Sequence, residues 1–174
     1  NLTNLYIHGG TTIGGLVGLN YGNISSSHVT VNIKGISNVG GLIGTNEHGR
    51  VSNSLSEGFV TNTYTPYYSS DRHIGGLIGW NYYGEVFHSY SNVELYSVRF
   101  GVGGLVGLNE GNIFHSYATG NVEGTYNVGG LIGENYGDIA SSYATGNVNG
   151  TYQVGGLIGM HFYNNIQDSY ATGN

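Results

Sequence analysis

The chain has 174 residues, of which 33 are glycine and one is proline, and this composition excludes a collagen-like helix. Its net charge is −6, with 4 basic and 10 acidic residues, so neither nucleic acid nor an anionic membrane surface is an expected partner. No cysteine is present, which excludes disulfides, and no apolar run approaches the roughly 18 residues of a membrane span.

A short block of the form hydrophobic-Gly-Gly-Leu-hydrophobic-Gly occurs six times along the chain. The first glycines of successive blocks are 26, 35, 28, 26 and 26 residues apart. Self-similarity at such a period is typical of repeat architectures, in which each repeat contacts its neighbours. The blocks span residues 13–18, 39–44, 74–79, 102–107, 128–133 and 154–159.

A turn signal follows each block. In five copies it is an Asn with a Gly two or three residues later, and the sixth copy has His161 and Asn164 instead. Because Asn is the non-glycine residue that best tolerates a positive φ, we predict a left-handed turn position at this Asn in each coil. The residues concerned are Asn20, Asn46, Asn81, Asn109 and Asn135.

The rest of each repeat reads as short strands. An Ile or Val follows the turn, and a Ser stands three residues later in all six copies. The segments are rich in β-branched residues and bounded by Gly and Asn, and no window shows helical periodicity. Two or three such strands cannot bury their apolar side alone, so the copies must stack. We therefore predict one all-β domain over 1–174, a parallel β-helix (β-solenoid) of six coils with about 26–35 residues per coil.

Stacking places equivalent residues in columns about 4.8 Å apart along the axis. We predict that the Leu column forms the main core ladder and that the Ser column lies inward or at a corner, bonded to its neighbours. The Ile and Val residues beside Gly-Gly-Leu alternate to the opposite face, which predicts a partly apolar exterior suited to lateral contact. The predicted ladder residues are Leu16, Leu42, Leu77, Leu105, Leu131, Leu157, Ser27, Ser54, Ser89, Ser116, Ser142 and Ser169.

The Gly-Leu-hydrophobic-Gly core of each block, seen first at residues 15–18, resembles the GLUG-motif repeat. The run Ser-Tyr-Ala-Thr-Gly-Asn-Val, at Ser116 and again at Ser142, is similar to the same family. Such repeats occur in large bacterial surface and secreted proteins, including adhesins and non-catalytic regions of secreted immunoglobulin A peptidases. The resemblance implies an extracellular β-helical module without catalytic residues, and the zinc-peptidase pattern His-Glu-x-x-His does not occur in this sequence.

No metal, cofactor or catalytic centre is predicted. His88 and His115 share a column and their rings could stack about 5 Å apart, but zinc usually needs three or four converging ligands. The acidic residues sit singly and are expected to be isolated, solvated charges rather than an acid-base pair. The other members of the His column are Ser26, Asn53, Ser141 and Asp168, and the acidic residues considered are Glu85, Glu110, Glu123, Glu134, Asp138 and Asp168.

Two surfaces are candidates for ligand contact. Aromatic residues of one column either bind sugar rings or form a ladder that stabilises the sheet. The longest repeat carries an insertion near 57–73, where Pro66 excludes a central strand and predicts a loop that either binds a partner or is neutral. The candidate contact residues are Tyr90, Tyr117, Tyr143, Tyr170, Tyr64, Tyr67 and Tyr68, and N-glycosylation sequons begin at Asn1, Asn23 and Asn149.

The repeat spacing also suggests how copies could associate. Nineteen residues follow Gly155, and Gly14 is the fourteenth residue of a second copy placed after Asn174, so the interval would be 33 residues, within the observed range. We expect a non-catalytic structural or adhesive protein at the cell surface, stacked head to tail into a fibre or forming a stalk. Its expected partners are copies of itself, end to end or laterally, and glycans or host components. The alternative is a carbohydrate- or ice-binding module of a larger adhesin.

Overall fold

The computed structural model describes residues 1–62, 72–98 and 100–173. These residues form strands and turns, and within them no helix is long and apolar enough to cross a membrane. The strands belong to four sheets, and the chain visits the sheets in the same order in every coil. Each strand of an inner coil pairs in parallel with its equivalents in the coils before and after it. The all-β, parallel β-solenoid of about six turns is thus confirmed.

Each coil contributes a strand to all four sheets, rather than the two or three strands expected. Sheet 1 contains Leu2–His8, His28–Gly35, Leu55–Asn62, Tyr90–Tyr96, Tyr117–Ala118, Val122–Glu123, Tyr143–Ala144, Val148–Asn149 and Tyr170–Ala171. Sheet 2 contains Thr11–Gly14, Ser37–Gly40, Ile74–Gly75, Val102–Gly103, Tyr126–Gly129 and Tyr152–Gly155. Sheet 3 contains Val17–Asn20, Ile43–Glu47, Ile78–Tyr82, Val106–Asn109, Ile132–Asn135 and Ile158–His161. Sheet 4 contains Asn23–Ser25, Arg50–Ser52, Glu85–Phe87, Asn112–Phe114, Ile139–Ala140 and Ile166–Gln167.

The longest repeat keeps the register of its neighbours. Strand Leu55–Asn62 pairs residue by residue with Tyr90–Tyr96, and Ile74 pairs with Val39 in the coil before. Of the predicted insertion at 57–73, residues 57–62 therefore belong to a strand and not to a loop. Residues 63–71, which include Tyr64, Pro66, Tyr67 and Tyr68, lie outside the described residues.

The Gly-Gly-Leu block is a corner rather than part of one continuous strand. In the second coil, Val39 lies in sheet 2 and Ile43 in sheet 3, and the chain bends between them. Both side chains are fully buried, as are their equivalents in the third to fifth coils. The expected apolar outer face is therefore wrong, because strand alternation does not continue through a corner. These side chains are therefore not available for lateral contact between neighbouring rods.

Glycine is required where the two sheets meet at this corner. A Cβ on Gly76 would lie 2.1 Å from the carbonyl oxygen of Gly104 and 2.1 Å from Ser91 Oγ. Side chains cannot approach so closely, so the backbones of successive coils need glycine to stack here. The same contact, with a carbonyl oxygen of the next coil, recurs at Gly15, Gly41, Gly104 and Gly130.

The left-handed turn lies elsewhere than predicted. None of the five Asn residues of the turn signal has a positive φ. Instead, the residue just before the ladder serine has a φ between 46° and 51° in every coil, which turns the chain from sheet 4 into sheet 1. The residues in this position are Ser26, Asn53, His88, His115, Ser141 and Asp168.

Candidate functional site

A buried ladder of asparagine side chains follows sheet 3. The Asn46 Nδ2 group donates to Asn81 Oδ1 at 2.8 Å and to the Gly49 carbonyl at 2.9 Å. The same pair of bonds, one along the ladder and one to the turn, recurs from Asn20 to Asn109. The ladder ends at the sixth coil, where Asn135 Nδ2 lies 3.1 Å from His161 Nδ1. The repeat therefore needs Asn at this position because its side-chain amide bonds to two partners. It does not need Asn for a left-handed backbone, so the prediction of a left-handed turn at this residue is wrong.

The serine column lies at the corner between sheets 4 and 1. The backbone N–H of Ser54 donates to Ser89 Oγ at 3.1 Å, and Ser54 Oγ donates to the Ser52 carbonyl at 2.8 Å. Both bonds repeat along the column, so each hydroxyl accepts from the preceding coil and donates within its own. The ladder residues Ser54, Ser89, Ser116 and Ser142 are buried.

The leucine column is buried inside the stack, exposed at its first member and partly buried at its last, Leu157. Leu42, Leu77, Leu105 and Leu131 are fully buried, whereas Leu16 in the first coil is 38% exposed. Val154 in the last coil is 45% exposed, although Val128, one coil inward, is fully buried. The two end coils therefore present to solvent the apolar columns that the inner coils bury.

The tyrosine column forms a continuous stack of rings. The ring centroids of Tyr90 and Tyr117 are 4.7 Å apart, those of Tyr117 and Tyr143 are 4.8 Å apart, and those of Tyr143 and Tyr170 are 5.2 Å apart. All three pairs are within 6° of parallel. Since each inner ring is covered on both faces by its neighbours, no inner face is open to a sugar ring, and the geometry favours the sheet-stabilising ladder.

Two further aromatic ladders were not anticipated. Phe100 stacks on Tyr126 at 4.5 Å, and Tyr126 stacks on Tyr152 at 4.7 Å. Tyr136 stacks on Phe162 at 4.6 Å. A search for identical residues in a column misses these stacks because Phe and Tyr replace one another within them.

The histidine column does not gather metal ligands. The rings of His88 and His115 are parallel, with centroids 5.0 Å apart. No group of three or more His, Asp or Glu residues that could hold a metal occurs in the described ranges 1–62, 72–98 and 100–173. The sequon residues Asn1, Asn23 and Asn149 are exposed.

Two of the acidic residues, Glu110 and Glu134, are partly buried rather than fully solvated as the sequence led us to expect. The Glu134 side chain is only 14% exposed, and burial raises the pKa of its carboxyl, although the Asn127 amide donates to Glu134 Oε1 at 2.8 Å. His73 Nε2 lies 4.0 Å from the same Oε1. Burial also raises the pKa of the Glu110 carboxyl. Glu134 is the one acid in its column, and Glu110 shares its column with Glu47, two coils earlier, so the repeat pattern gave no sign of their partial burial.

A cavity of about 470 Å³ lies away from the Gly-Gly-Leu corner, between the beginnings of the sheet 2 strands and the ends of the sheet 3 strands. One wall is Trp80, whose ring contacts that of Tyr82 with centroids 5.0 Å apart. Trp80 is the only tryptophan in the sequence, and its column otherwise holds Leu, Thr, Glu and Met, so this break in the repeat is the signal that marks the site. The lining residues are Thr11, Ser37, Asn38, His73, Trp80, Leu108 and Glu110.

Comparison with known protein families identifies three copies of the GLUG motif, at residues 9–34, 99–123 and 124–149. The first match runs from just before strand Thr11–Gly14 to the last residue but one of strand His28–Gly35, so it spans one coil with a strand from each sheet. Searches of curated proteins and of solved structures give no significant match. Three of its repeats match the GLUG motif, and the chain folds as a parallel β-solenoid.

Proposed function

We propose that this chain is a non-catalytic, extracellular structural module whose coils stack end to end with those of other copies, forming a surface fibre or stalk with an adhesive role. The observation that carries the proposal is the parallel stacking itself, in which the inner coils bury their core columns against the coils on both sides. Leu16 and Val154 are 38% and 45% exposed, whereas Leu42 and Val128 are fully buried one coil inward. A further coil on either end would bury these residues and pair the free strand edges.

The two ends are also complementary in hydrogen bonding. Inside the stack, each ladder serine donates its backbone N–H to the serine hydroxyl of the following coil. Continued by one step, this pattern places the N–H of Ser169 against the hydroxyl of Ser27 in a second copy. Such a head-to-tail contact joins different surfaces and leads to an open filament rather than a closed pair.

The hydrogen bonds of the buried Asn and Ser side chains also support a structural role. The Asn and Ser ladders use their side chains to hold adjacent coils together, and GLUG-repeat solenoids are not a known class of enzyme. Self-association and glycans or host components at the cell surface are the proposed partners. The alternative of a sugar- or ice-binding face finds no support in the Tyr ladder, because its inner ring faces are covered.

The experiment is electron microscopy of the purified chain together with sedimentation over a concentration series. We expect rods of uniform width with an axial repeat of about 30 Å, as six coils predict. Val154→Glu and Ile166→Glu, at the exposed end, should abolish rods and leave the circular dichroism spectrum unchanged. Phe59→Glu, at an exposed position on the side of the stack, is the matched control and should still form rods. A chain that stays monomeric at high concentration would contradict the proposal.

A further inference from the structure

Beside Trp80, the cavity contains polar atoms that have no hydrogen-bond partner within residues 1–62, 72–98 and 100–173. Asn38 Oδ1, Trp80 Nε1 and Glu110 Oε2 are each buried from solvent, and none has a hydrogen-bond partner among the described residues. All three side chains line the same cavity. Buried polar groups normally have a partner, and leaving one unbonded is destabilising. Three such atoms around one space indicate that something else bonds to them.

To satisfy all three atoms, an occupant must carry both hydrogen-bond donors and hydrogen-bond acceptors. Asn38 Oδ1 can only accept a hydrogen bond, and the Trp80 Nε1–H can only donate one. The Glu110 carboxylate accepts in its ionised form. Burial raises the pKa of the Glu110 carboxyl, and the nearby Trp80 indole N–H offsets part of that rise. The two groups are nevertheless not in hydrogen-bond geometry. An occupant must therefore both donate and accept, which a hydroxyl group does.

The walls limit the occupant further. The Trp80 ring and the Leu108 side chain provide apolar surface, while the other lining residues are polar. Among the described residues, no Lys or Arg lines the cavity, so an anion finds no permanent positive charge there. A quaternary ammonium would suit Trp80 and Glu110 but could not accept from the indole N–H. A purely apolar molecule would leave all three polar atoms unbonded.

From this geometry we propose that the Trp80 cavity binds a neutral carbohydrate, with an apolar face of a sugar ring against Trp80 and its hydroxyls bonded to Asn38, Trp80 Nε1 and Glu110. The cavity volume of about 470 Å³ lies within the usual range for small-molecule sites. Outside the cavity, Tyr82, Tyr83 and His48 extend the aromatic surface, with ring centroids 4.6 to 5.8 Å apart. The next sugar of an oligosaccharide would stack on these aromatic rings. The site is independent of end-to-end stacking, because it lies on the side of the rod.

Trp80 makes the test direct, because it is the only tryptophan and its fluorescence reports on this cavity alone. The intact chain is titrated with glucose, galactose, mannose, N-acetylglucosamine, lactose and cellobiose, each to about 50 mM, which detects millimolar dissociation constants. We expect at least one sugar to shift the emission and to protect Trp80 from acrylamide quenching. Calorimetry with the same sugar should give the same dissociation constant.

Variants then locate the binding, with affinities measured by calorimetry because one variant adds a second tryptophan. Glu110→Gln should weaken binding about tenfold through loss of a charge-assisted hydrogen bond, and Leu108→Trp should abolish it by filling the cavity. Glu85→Gln is the matched control, since Glu85 is an exposed carboxylate of sheet 4, and it should bind like the wild type. The proposal is overturned if no sugar changes the fluorescence of the folded chain. It is also overturned if tetramethylammonium binds and sugars do not, or if Glu110→Gln and Leu108→Trp leave the affinity unchanged.

Discussion

Asn46 and Asn81 are 35 residues apart in the chain, yet Asn46 Nδ2 donates to Asn81 Oδ1 at 2.8 Å. The bond has the same length between Asn81 and Asn109, which are 28 residues apart, and between Asn109 and Asn135, which are 26 apart. Coil length therefore varies without disturbing the ladder. Both donors of each amide are bonded, so the ladder is a fully satisfied polar network inside an apolar stack.

Substitution of Asn81 by Ala should be among the most damaging single changes in the middle of the stack. It removes the acceptor of Asn46 Nδ2 and the donor to Asn109 Oδ1, and it leaves the Gly84 carbonyl without its side-chain donor. We expect the free energy of unfolding to fall by about 2 to 4 kcal/mol, since buried groups lose their partners. Urea denaturation measures the change. Asn32→Ala, at an exposed position in sheet 1, should stay within about 0.5 kcal/mol, and equal losses for the two variants would refute the role of the ladder.

Gly76→Ala should severely destabilise the protein or prevent folding. The added Cβ would meet the backbone carbonyl of Gly104, which cannot move without separating two coils. Overpacking of this kind costs about 1 to 3 kcal/mol, and more where backbone must shift. Gly22→Ala is the matched control, because a Cβ there meets nothing within 4 Å. Thermal melting of both variants checks the prediction, and a Gly76→Ala protein as stable as Gly22→Ala would show that the coils do not stack so closely.

The tyrosine ladder should contribute more from its middle than from its end. Tyr117 stacks against two rings, whereas Tyr170 stacks against Tyr143 alone. Each aromatic pair is worth about 0.5 to 1.5 kcal/mol beyond area burial, so Tyr117→Ala should cost about 1 kcal/mol more than Tyr170→Ala. Tyr117→Phe keeps both stacks and should change stability little. If Tyr117→Phe costs as much as Tyr117→Ala in denaturation curves, the hydroxyl and not the stack is responsible.

Glu134 should make stability depend on pH. Burial raises the pKa of its carboxyl above the ordinary value of 4.5, so its contribution to stability is full below that value and is lost as the pH rises through the raised pKa. Glu134→Gln keeps an acceptor for the Asn127 amide and removes the buried charge. We expect this variant to melt at a higher temperature than the wild type at pH 7, with the difference shrinking toward pH 4. A difference that is constant over this range would exclude titration of Glu134 as the cause.

The sequence allowed prediction of the solenoid and its columns because each column repeats in the chain. Leu42, Leu77 and Leu105 recur in the same block, and parallel stacking is the one arrangement that brings such residues into contact. Their burial and the hydrogen bonds of the serine column follow from that register. The stacking of His88 on His115 at 5.0 Å follows from the same spacing.

The corner and the cavity could not be predicted for different physical reasons. The sequence around Val39 and Ile43 is compatible with one alternating strand and also with two strands joined by a bend. The close approach of the glycine backbones, which the sequence does not show, decides between these arrangements. Asn46 fits a turn by its backbone or a ladder by its side chain. The cavity joins Asn38, Trp80 and Glu110 from three different coils, at positions where the repeat does not conserve its own residue type.

The unchanged register on both sides of residues 63–71 has a practical consequence. Strand Leu55–Asn62 and the pairing of Ile74 with Val39 keep the spacing of the shorter coils, although nine residues separate Asn62 from Arg72. A guest sequence grafted after Asn62 should therefore leave the host stack intact. Each molecule would then display one guest. In a fibre of stacked copies, the axial spacing between guests would equal the length of one subunit.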